Sequence, residues 1–406
     1  MKNVYIIDEY ASSKINGIGA YIRELIHCLQ EMEVNICRVD CCHDTATFKI
    51  ETRDGVRQMQ FPAIPGFWGQ HHAIIDKFLR LYINDSQDNI FLFHHTPCEF
   101  LVKTVKDSFP LSRLVFVIHD MTWTGDMLGD KTELERFAAV ENRELFEKEY
   151  PELLPRFNEE KRMYEAVHRI VALTAETVDL LQNVYGTSDE KISFIPNGLR
   201  DICCEFSEKE RNRLKSSLFV PLHEKVIVFA GRVKNVKGIY QVINGLKKAV
   251  KTEPDFRLVV AGTVFEMKKL MEHAGGIAAK ITFTGQIPKD KLHEWYRIAD
   301  IGVLASYWEQ CSYTGIEMMM YGLPVVASDG FCVGDMFKND ENAKIARIGD
   351  RSHPEEFENN LTEAFLELLQ SDELCRTLGE NGRKVYESRY QINYMKEGYQ
   401  MLFNSL

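Results

Sequence analysis

Val226-Ile227-Val228-Phe229-Ala230-Gly231-Arg232 is a run of β-forming residues that stops at a glycine, with a cation directly behind it. Lys237-Gly238 follow within one loop, and a helical pattern starts at Ile239. An apolar strand, a glycine-bearing loop and then a helix form the repeating unit of a parallel sheet covered on both faces. Residues 257–261, 280–283, 301–304 and 324–327 repeat the strand signal, and residues 239–251 and 291–299 read as helices between them. The right-handed crossover rule turns such an alternation into a doubly wound α/β sheet.

The first half of the chain carries the same alternation. Residues 4–7, 91–94, 114–119, 170–173 and 191–195 read as strands, with a helix expected over 20–32 after a loop that contains Gly17 and Gly19. The fold class expected is therefore α/β with two doubly wound, Rossmann-like domains, residues 1–198 and 199–389. They meet near Pro196-Asn197-Gly198 and the polar stretch 205–215. Helical patterns close the chain over 362–370, 372–389 and 392–406. The charged stretch 131–160 has apolar residues at helical spacing and reads as an inserted amphipathic helix.

Size and charge narrow the function. A chain of 406 residues suggests two to three domains. The formal net charge of −11 argues against a general nucleic-acid binder. No apolar run approaches the roughly 18–20 residues that span a bilayer, and the N-terminus has no signal-peptide shape. Ten cysteines without a C-x-x-C pair read as reduced thiols, so the expected compartment is cytoplasmic and no metal site is expected.

The chemistry lies at the carboxyl ends of the second-half strands, where open α/β sheets bind ligands. Arg232 can fork onto phosphate oxygens and Lys237 adds a point charge. Glu309-Gln310-Cys311-Ser312-Tyr313-Thr314-Gly315-Ile316-Glu317 follows the strand 301–304 and leads into a helix expected over 316–321. The backbone N–H groups of residues 312–315 suit an anion, because a helix N-terminus favours one by about 0.3–2 kcal/mol. Glu317 suits a ribose diol, and Glu309 suits sugar hydroxyls.

These stretches resemble the retaining GT-B glycosyltransferases with an E-x7-E signature (the group 1, or family 4, glycosyltransferases). The matching segments are Phe229-Ala230-Gly231-Arg232 with Lys237-Gly238, Phe283-Thr284-Gly285-Gln286-Ile287, and Ala299-Asp300 with Ser306, Glu309 and Glu317. Tyr321-Gly322-Leu323-Pro324-Val325-Val326-Ala327, Val117-Ile118-His119-Asp120 and Ile195-Pro196-Asn197-Gly198 complete them. The resemblance covers nearly the whole chain.

It implies an N-terminal acceptor domain, a C-terminal nucleotide-sugar domain, and a last helix at about 390–406 packing back on the first. It implies that Arg232 and Lys237 neutralise the departing diphosphate, that Glu317 holds the ribose, and that Glu309 contacts the transferred sugar. Ile287 would meet the base through its backbone, His119 would lie near the anomeric centre, and Gly17 and Gly231 would admit the donor phosphates. Ser312, Tyr313 and Thr314 line the same donor loop. The implied reaction is hexosyl transfer with retention of configuration, in bacterial glycan biosynthesis, from a nucleotide-sugar (a UDP- or GDP-sugar) and without a cofactor. The acceptor implied is a glycan, a lipid-linked glycan, a small molecule or a peptide.

Three departures stand out. Gln310-Cys311-Ser312 replaces the family's Gly-Phe-Gly, Ala305 replaces a proline, and Ile18 splits the usual paired glycines. His95 and Trp123 are candidate acceptor contacts, as is the aromatic stretch 61–72, read as a loop. Two readings from other classes remain. Gly17-Ile18-Gly19 is a partial dinucleotide fingerprint, which would make the chain an NAD(P)-dependent oxidoreductase. A catalytically weak homologue would serve as a stabilising partner subunit.

Overall fold

The computed structural model describes residues 1–9, 17–64, 68–94, 99–204 and 206–406. They fall into two compact units, Met1–Gly198 with Ile392–Leu406, and Leu199–Gln391.

The first unit opens with β1 (Lys2–Asp8), α1 (Gly17–Gln30), β2 (Val34–His43), β3 (Lys49–Arg53) and β4 (Val56–Pro62). Next come α2 (Trp68–Tyr82), β5 (Asn89–Phe93), α3 (Glu99–Ser108) and β6 (Arg113–Val117). Three helices, α4 (Lys131–Ala138), α5 (Arg143–Glu149) and α6 (Leu153–Ala166), precede β7 (Arg169–Ala172), α7 (Ala175–Asn183) and β8 (Ile192–Phe194). The sheet order is β3-β4-β2-β1-β5-β6-β7-β8, parallel throughout except for β3 against β4. The strand order reverses between β1 and β5, which makes their carboxyl ends the switch point of this sheet.

Three differences from the sequence expectation concern this unit. β2, β3 and β4 are strands that the apolar runs of the sequence do not announce. β3 is exposed along its whole length and alternates no core face. Its turn to β4 is Asp54-Gly55, both at positive φ (51° and 76°), the two-residue hairpin geometry. The stretch 61–72 is not one loop: Phe61 is buried in β4, and His71 and His72 are buried on α2. Residues 65–67 of it lie outside the described residues.

Helix α1 starts at Gly17, so Gly17 and Gly19 form its first turn rather than a loop before it. Gly19 belongs to the buried stripe that continues through Ile22, Leu25 and Leu29, and that stripe extends the helix one turn.

The second unit contains α8 (Glu208–Ser217), β9 (Lys225–Ala230), α9 (Ile239–Ala249), β10 (Phe256–Ala261), α10 (Met267–Ala274) and β11 (Ile281–Gly285). α11 (Lys289–Ile298), β12 (Ile301–Leu304), α12 (Tyr313–Met320), β13 (Val325–Ser328), β14 (Lys344–Ala346), α13 (Glu355–Gln370) and α14 (Asp372–Val385) complete it. Its sheet is parallel throughout, in the order β11-β10-β9-β12-β13-β14. α9 shows why the pattern folds this way: Ile239, Val242, Ile243, Leu246 and Ala249 fall on one buried stripe. The order reverses between β9 and β12, whose carboxyl ends carry Gly231-Arg232 and Ala305-Ser306.

The chain then returns to the first unit as α15 (Ile392–Ser405). This helix buries Met395, Tyr399, Leu402 and Phe403, packs on α1, and pairs the Tyr399 hydroxyl with that of Tyr21.

Candidate functional site

The two strands at the second unit's switch point bring their loops into contact. Gly238 sits at φ +70°, and a Cβ there would lie 2.2 Å from the carbonyl oxygen of Ala305. The loop after β9 therefore passes hard against the loop after β12, an approach open only to glycine. The Tyr307 N–H donates to the Val236 carbonyl at 2.9 Å and locks the pair.

That approach delivers Lys237, in a 3-10 turn over Asn235–Lys237, to the first acid of the loop. Lys237 Nζ lies 2.6 Å from Glu309 Oε1, and the Ser306 hydroxyl donates to the same oxygen at 2.7 Å. Arg232 is exposed one residue past Gly231. Gly231 itself holds φ +131°.

The second acid has its own partners. Glu317 on α12 is only 1% exposed. The Tyr296 hydroxyl donates to its Oε2 at 3.0 Å, and the Lys289 ammonium pairs with its Oε1. Thr314 lies half-buried in the first turn of α12. Burial first, and then the Glu317 charge, hold the Tyr296 phenol far above its ordinary range, so it stays a donor. The Tyr321 ring lies tilted against those of Tyr296 and His293, with centroids 5.6 Å apart in each pair. Ile287 is half-buried between β11 and α11, two residues before Lys289.

Helix α12 starts at Tyr313, earlier than the sequence suggests, because Ser312 caps it. The Ser312 hydroxyl accepts the Gly315 N–H at 3.4 Å, and the Ser312 N–H meets the Met336 sulfur at 3.3 Å. Two of the four N–H groups at residues 312–315 are thus engaged within the protein. Tyr313 is buried and Thr314 half-buried.

In the first unit, β5 and β6 are neighbours, and His94 and His119 leave their adjacent ends. His94 Nδ1 and His119 Nε2 are 3.1 Å apart, with the rings stacked at 5.3 Å. The Tyr21 ring meets His119 edge-on at 4.6 Å. His95 lies outside the described residues. Trp123 is 0% exposed and lies in the turns over residues 122–129. Gly17 is the exposed first residue of α1.

The His119 loop is anchored from below. Glu160 on α6, fully buried, accepts the Thr122, Tyr164 and Tyr185 hydroxyls at 2.6, 2.8 and 2.7 Å. Burial pushes its carboxyl up to about 6, against the lowering effect of those bonds. Glu9, at the end of β1, is pushed up to about 8 by burial and then by Asp8. Its carboxyl lies 3.9 Å from His72 Nε2.

Sequence reasoning missed Lys289, Tyr296, Tyr21 and Glu160. Each reaches its partner through the fold, and no local spacing announces them. Among the described residues no two cysteines form a disulfide. Among the described residues no cluster of three or more His, Cys, Asp or Glu is placed to hold a metal, and no helix is long and apolar enough to cross a membrane.

Comparison with known proteins places these elements in a family. The model for "Glycosyl transferases group 1" matches residues 210–385, and that for "Glycosyltransferase Family 4" matches residues 15–201. A D-inositol 3-phosphate glycosyltransferase from Paenarthrobacter aurescens is 25% identical over 276 residues, 64% of this chain and 66% of that protein. One from Nocardia farcinica is 28% identical over 232 residues, 52% of this chain and 51% of that protein. The chain thus spans about half to two thirds of the length of these relatives. Among solved structures, sucrose-phosphate synthase from Thermosynechococcus elongatus superposes with a TM-score of 0.78 at 16% identity, covering 100% of this chain and 98% of that one. Anabaena HepE in complex with UDP-glucose gives 0.71 at 14% identity and covers 100% of both chains. The fold is GT-B.

Proposed function

Because the chain belongs to the group 1 and family 4 glycosyltransferases, we propose that it transfers a sugar from a nucleoside-diphosphate sugar to an acceptor hydroxyl, with retention of configuration. The observation that carries this reading is the pairing of each acid at the switch point with a cation: Glu309 with Lys237, and Glu317 with Lys289. An exposed arginine, Arg232, follows β9 in the loop that leads to Lys237.

In this reading Lys237 and Glu309 hold each other until the donor arrives. The diphosphate then takes Lys237 and Arg232, and the sugar hydroxyls take Glu309. Glu317, fixed by Tyr296, grips the ribose diol. Departure of the nucleoside diphosphate builds negative charge on its oxygens, and fixed cations stabilise that charge as it forms. An oxocarbenium-like sugar forms as that bond breaks. The leaving phosphate takes the acceptor proton, and the acceptor oxygen attacks from the side the phosphate left. Neutralisation by Arg232 and Lys237 gives the step its charge balance without a divalent ion.

A UDP-sugar is the donor this reading favours, on the strength of the HepE complex with UDP-glucose. GDP-sugars are the second choice. Donor turnover tests the reading: release of UDP from UDP-glucose, with and without EDTA, for the wild type, Arg232→Ala and Lys237→Ala. Turnover insensitive to EDTA and lost in both variants is expected. Equal rates in all three proteins would remove the site assignment. Loss in EDTA restored by one divalent ion would remove the metal-free step.

A further inference from the structure

We propose that Lys289 competes with the donor's ribose for Glu317, and so sets how sharply the site tells ribose from deoxyribose. The proposal rests on the assignment of Glu317 to the ribose made above, and its residues all belong to the second unit.

The two partners of the Glu317 carboxylate differ in kind. Oε2 accepts the Tyr296 hydroxyl at 3.0 Å, and Tyr296 is 1% exposed. The rings of His293 and Tyr321 lie against that of Tyr296 at 6.1 and 5.6 Å, so the phenol is a fixed donor. Oε1 pairs with the Lys289 ammonium, and there the pair reaches the surface: the Lys289 side chain is 51% exposed against 1% for Glu317. An ammonium on a flexible four-carbon stem can move out into water, which a packed phenol cannot.

Lys289 is also poorly placed for its own helix. It is the first residue of α11, after Pro288 at the N-cap. The positive end of the helix dipole disfavours a cation there. Helix formation therefore gives no reason for a lysine at this position, and the dipole loosens its pair with Glu317.

A carboxylate offers about four lone-pair positions, and a vicinal diol brings two donors. The exposed partner of a buried carboxylate marks the side from which a ligand arrives. The diol takes Oε1 as the ammonium leaves, while Tyr296 keeps Oε2 and holds the carboxylate plane. Ribose is thus bonded at the expense of an ion pair, and the preference for it is smaller than an unpaired Glu317 would give. A buried carboxylate stripped of its cation is the stronger acceptor, because less of its desolvation is offset.

The test compares UDP with 2′-deoxy-UDP by calorimetric titration of the full-length chain. The two ligands share base and diphosphate, so the ratio of their affinities isolates the 2′-hydroxyl. Wild type, Lys289→Gln and Glu317→Gln are titrated at about 50 mM and about 0.5 M KCl, since salt screens an ion pair that reaches solvent.

The wild type should prefer UDP by about tenfold, as for a hydrogen bond to a charged group. Lys289→Gln should raise that preference by about fivefold, as the neutral amide competes less well than the ammonium. Higher salt should raise the preference in the wild type and leave it unchanged in Lys289→Gln. An unchanged or smaller preference in Lys289→Gln overturns the proposal. A preference in the wild type that does not respond to salt overturns it as well, with no variant needed. Failure of the ribose assignment reads differently: Glu317→Gln then keeps the full wild-type preference for UDP, or the wild type shows none, and the proposal falls with that assignment.

Discussion

Lys237 Nζ and Glu309 Oε1 are 2.6 Å apart, although 72 residues separate them in sequence. The contact exists because Gly238 lets one loop press against the carbonyl of Ala305 in the other. Two groups assigned to different parts of the donor in the proposed reading are thus each other's partner. Lys237→Ala should lower turnover by about a hundredfold to a thousandfold, in line with loss of one stabilising donor at a developing anion. UDP affinity should fall much less. Steady-state kinetics with parallel calorimetry separates the two.

In the proposed reading the ribose is held by Glu317, which Tyr296 in turn positions. Tyr296→Phe removes one hydrogen bond at 3.0 Å and should weaken UDP binding by about 1 kcal/mol, or roughly fivefold. Glu317→Ala removes the charged acceptor and should cost about 2–3 kcal/mol. Calorimetric titration with UDP checks both, and an unaltered Kd in Glu317→Ala removes it from the ribose site.

Gly238→Ala should be among the more damaging methyl additions in the chain. The new Cβ meets a carbonyl oxygen at 2.2 Å and the backbone is left-handed at φ +70°. A loss on the order of 3 kcal/mol is expected in urea unfolding. Gly186→Ala is the control: its φ is +69° but its Cβ would meet nothing within 4 Å, so only the conformational cost of about 1 kcal/mol applies.

Glu160 gives a pH signature. Its carboxyl, ordinarily at 4.5, is raised to about 6 in the folded protein, so the folded state holds the proton more tightly. Its contribution to stability is fully present below 4.5 and is lost as pH rises through about 6. The integrated effect is about 2 kcal/mol against the folded state at pH 7.5. Glu160→Gln should therefore be less destabilising at pH 7.5 than at pH 4.5. Unfolding free energies of both proteins at the two pH values test this, and an equal difference at both contradicts it.

The alternation of apolar runs and helices makes most of both sheets legible, because strands buried on both faces need near-continuous β-branched and aromatic residues. β2 is harder to read, since its sequence VNICRVDCCH carries polar residues among cysteines that act as small buried hydrophobes. β3 has no buried face to announce it, although Asp54-Gly55 marks its turn to β4. At the candidate site the two acids and Lys237 stand in motifs. Lys289 and Tyr296, 28 and 21 residues from Glu317, do not. Their contact depends on how α11 lies against α12, which no local spacing encodes. Trp123, an aromatic close to His119-Asp120 in sequence, is fully buried, which no local spacing encodes.

A thermal-shift panel of UDP-, GDP- and ADP-sugars and NADH, run on the wild type and Glu317→Ala, tests the central claim most directly. The account predicts that a nucleotide-sugar raises the Tm of the wild type by several degrees and leaves Glu317→Ala nearly unmoved; binding at about a hundred times Kd stabilises by about 2.7 kcal/mol. A panel in which no nucleotide-sugar shifts the wild type, or in which NADH alone does, would contradict it.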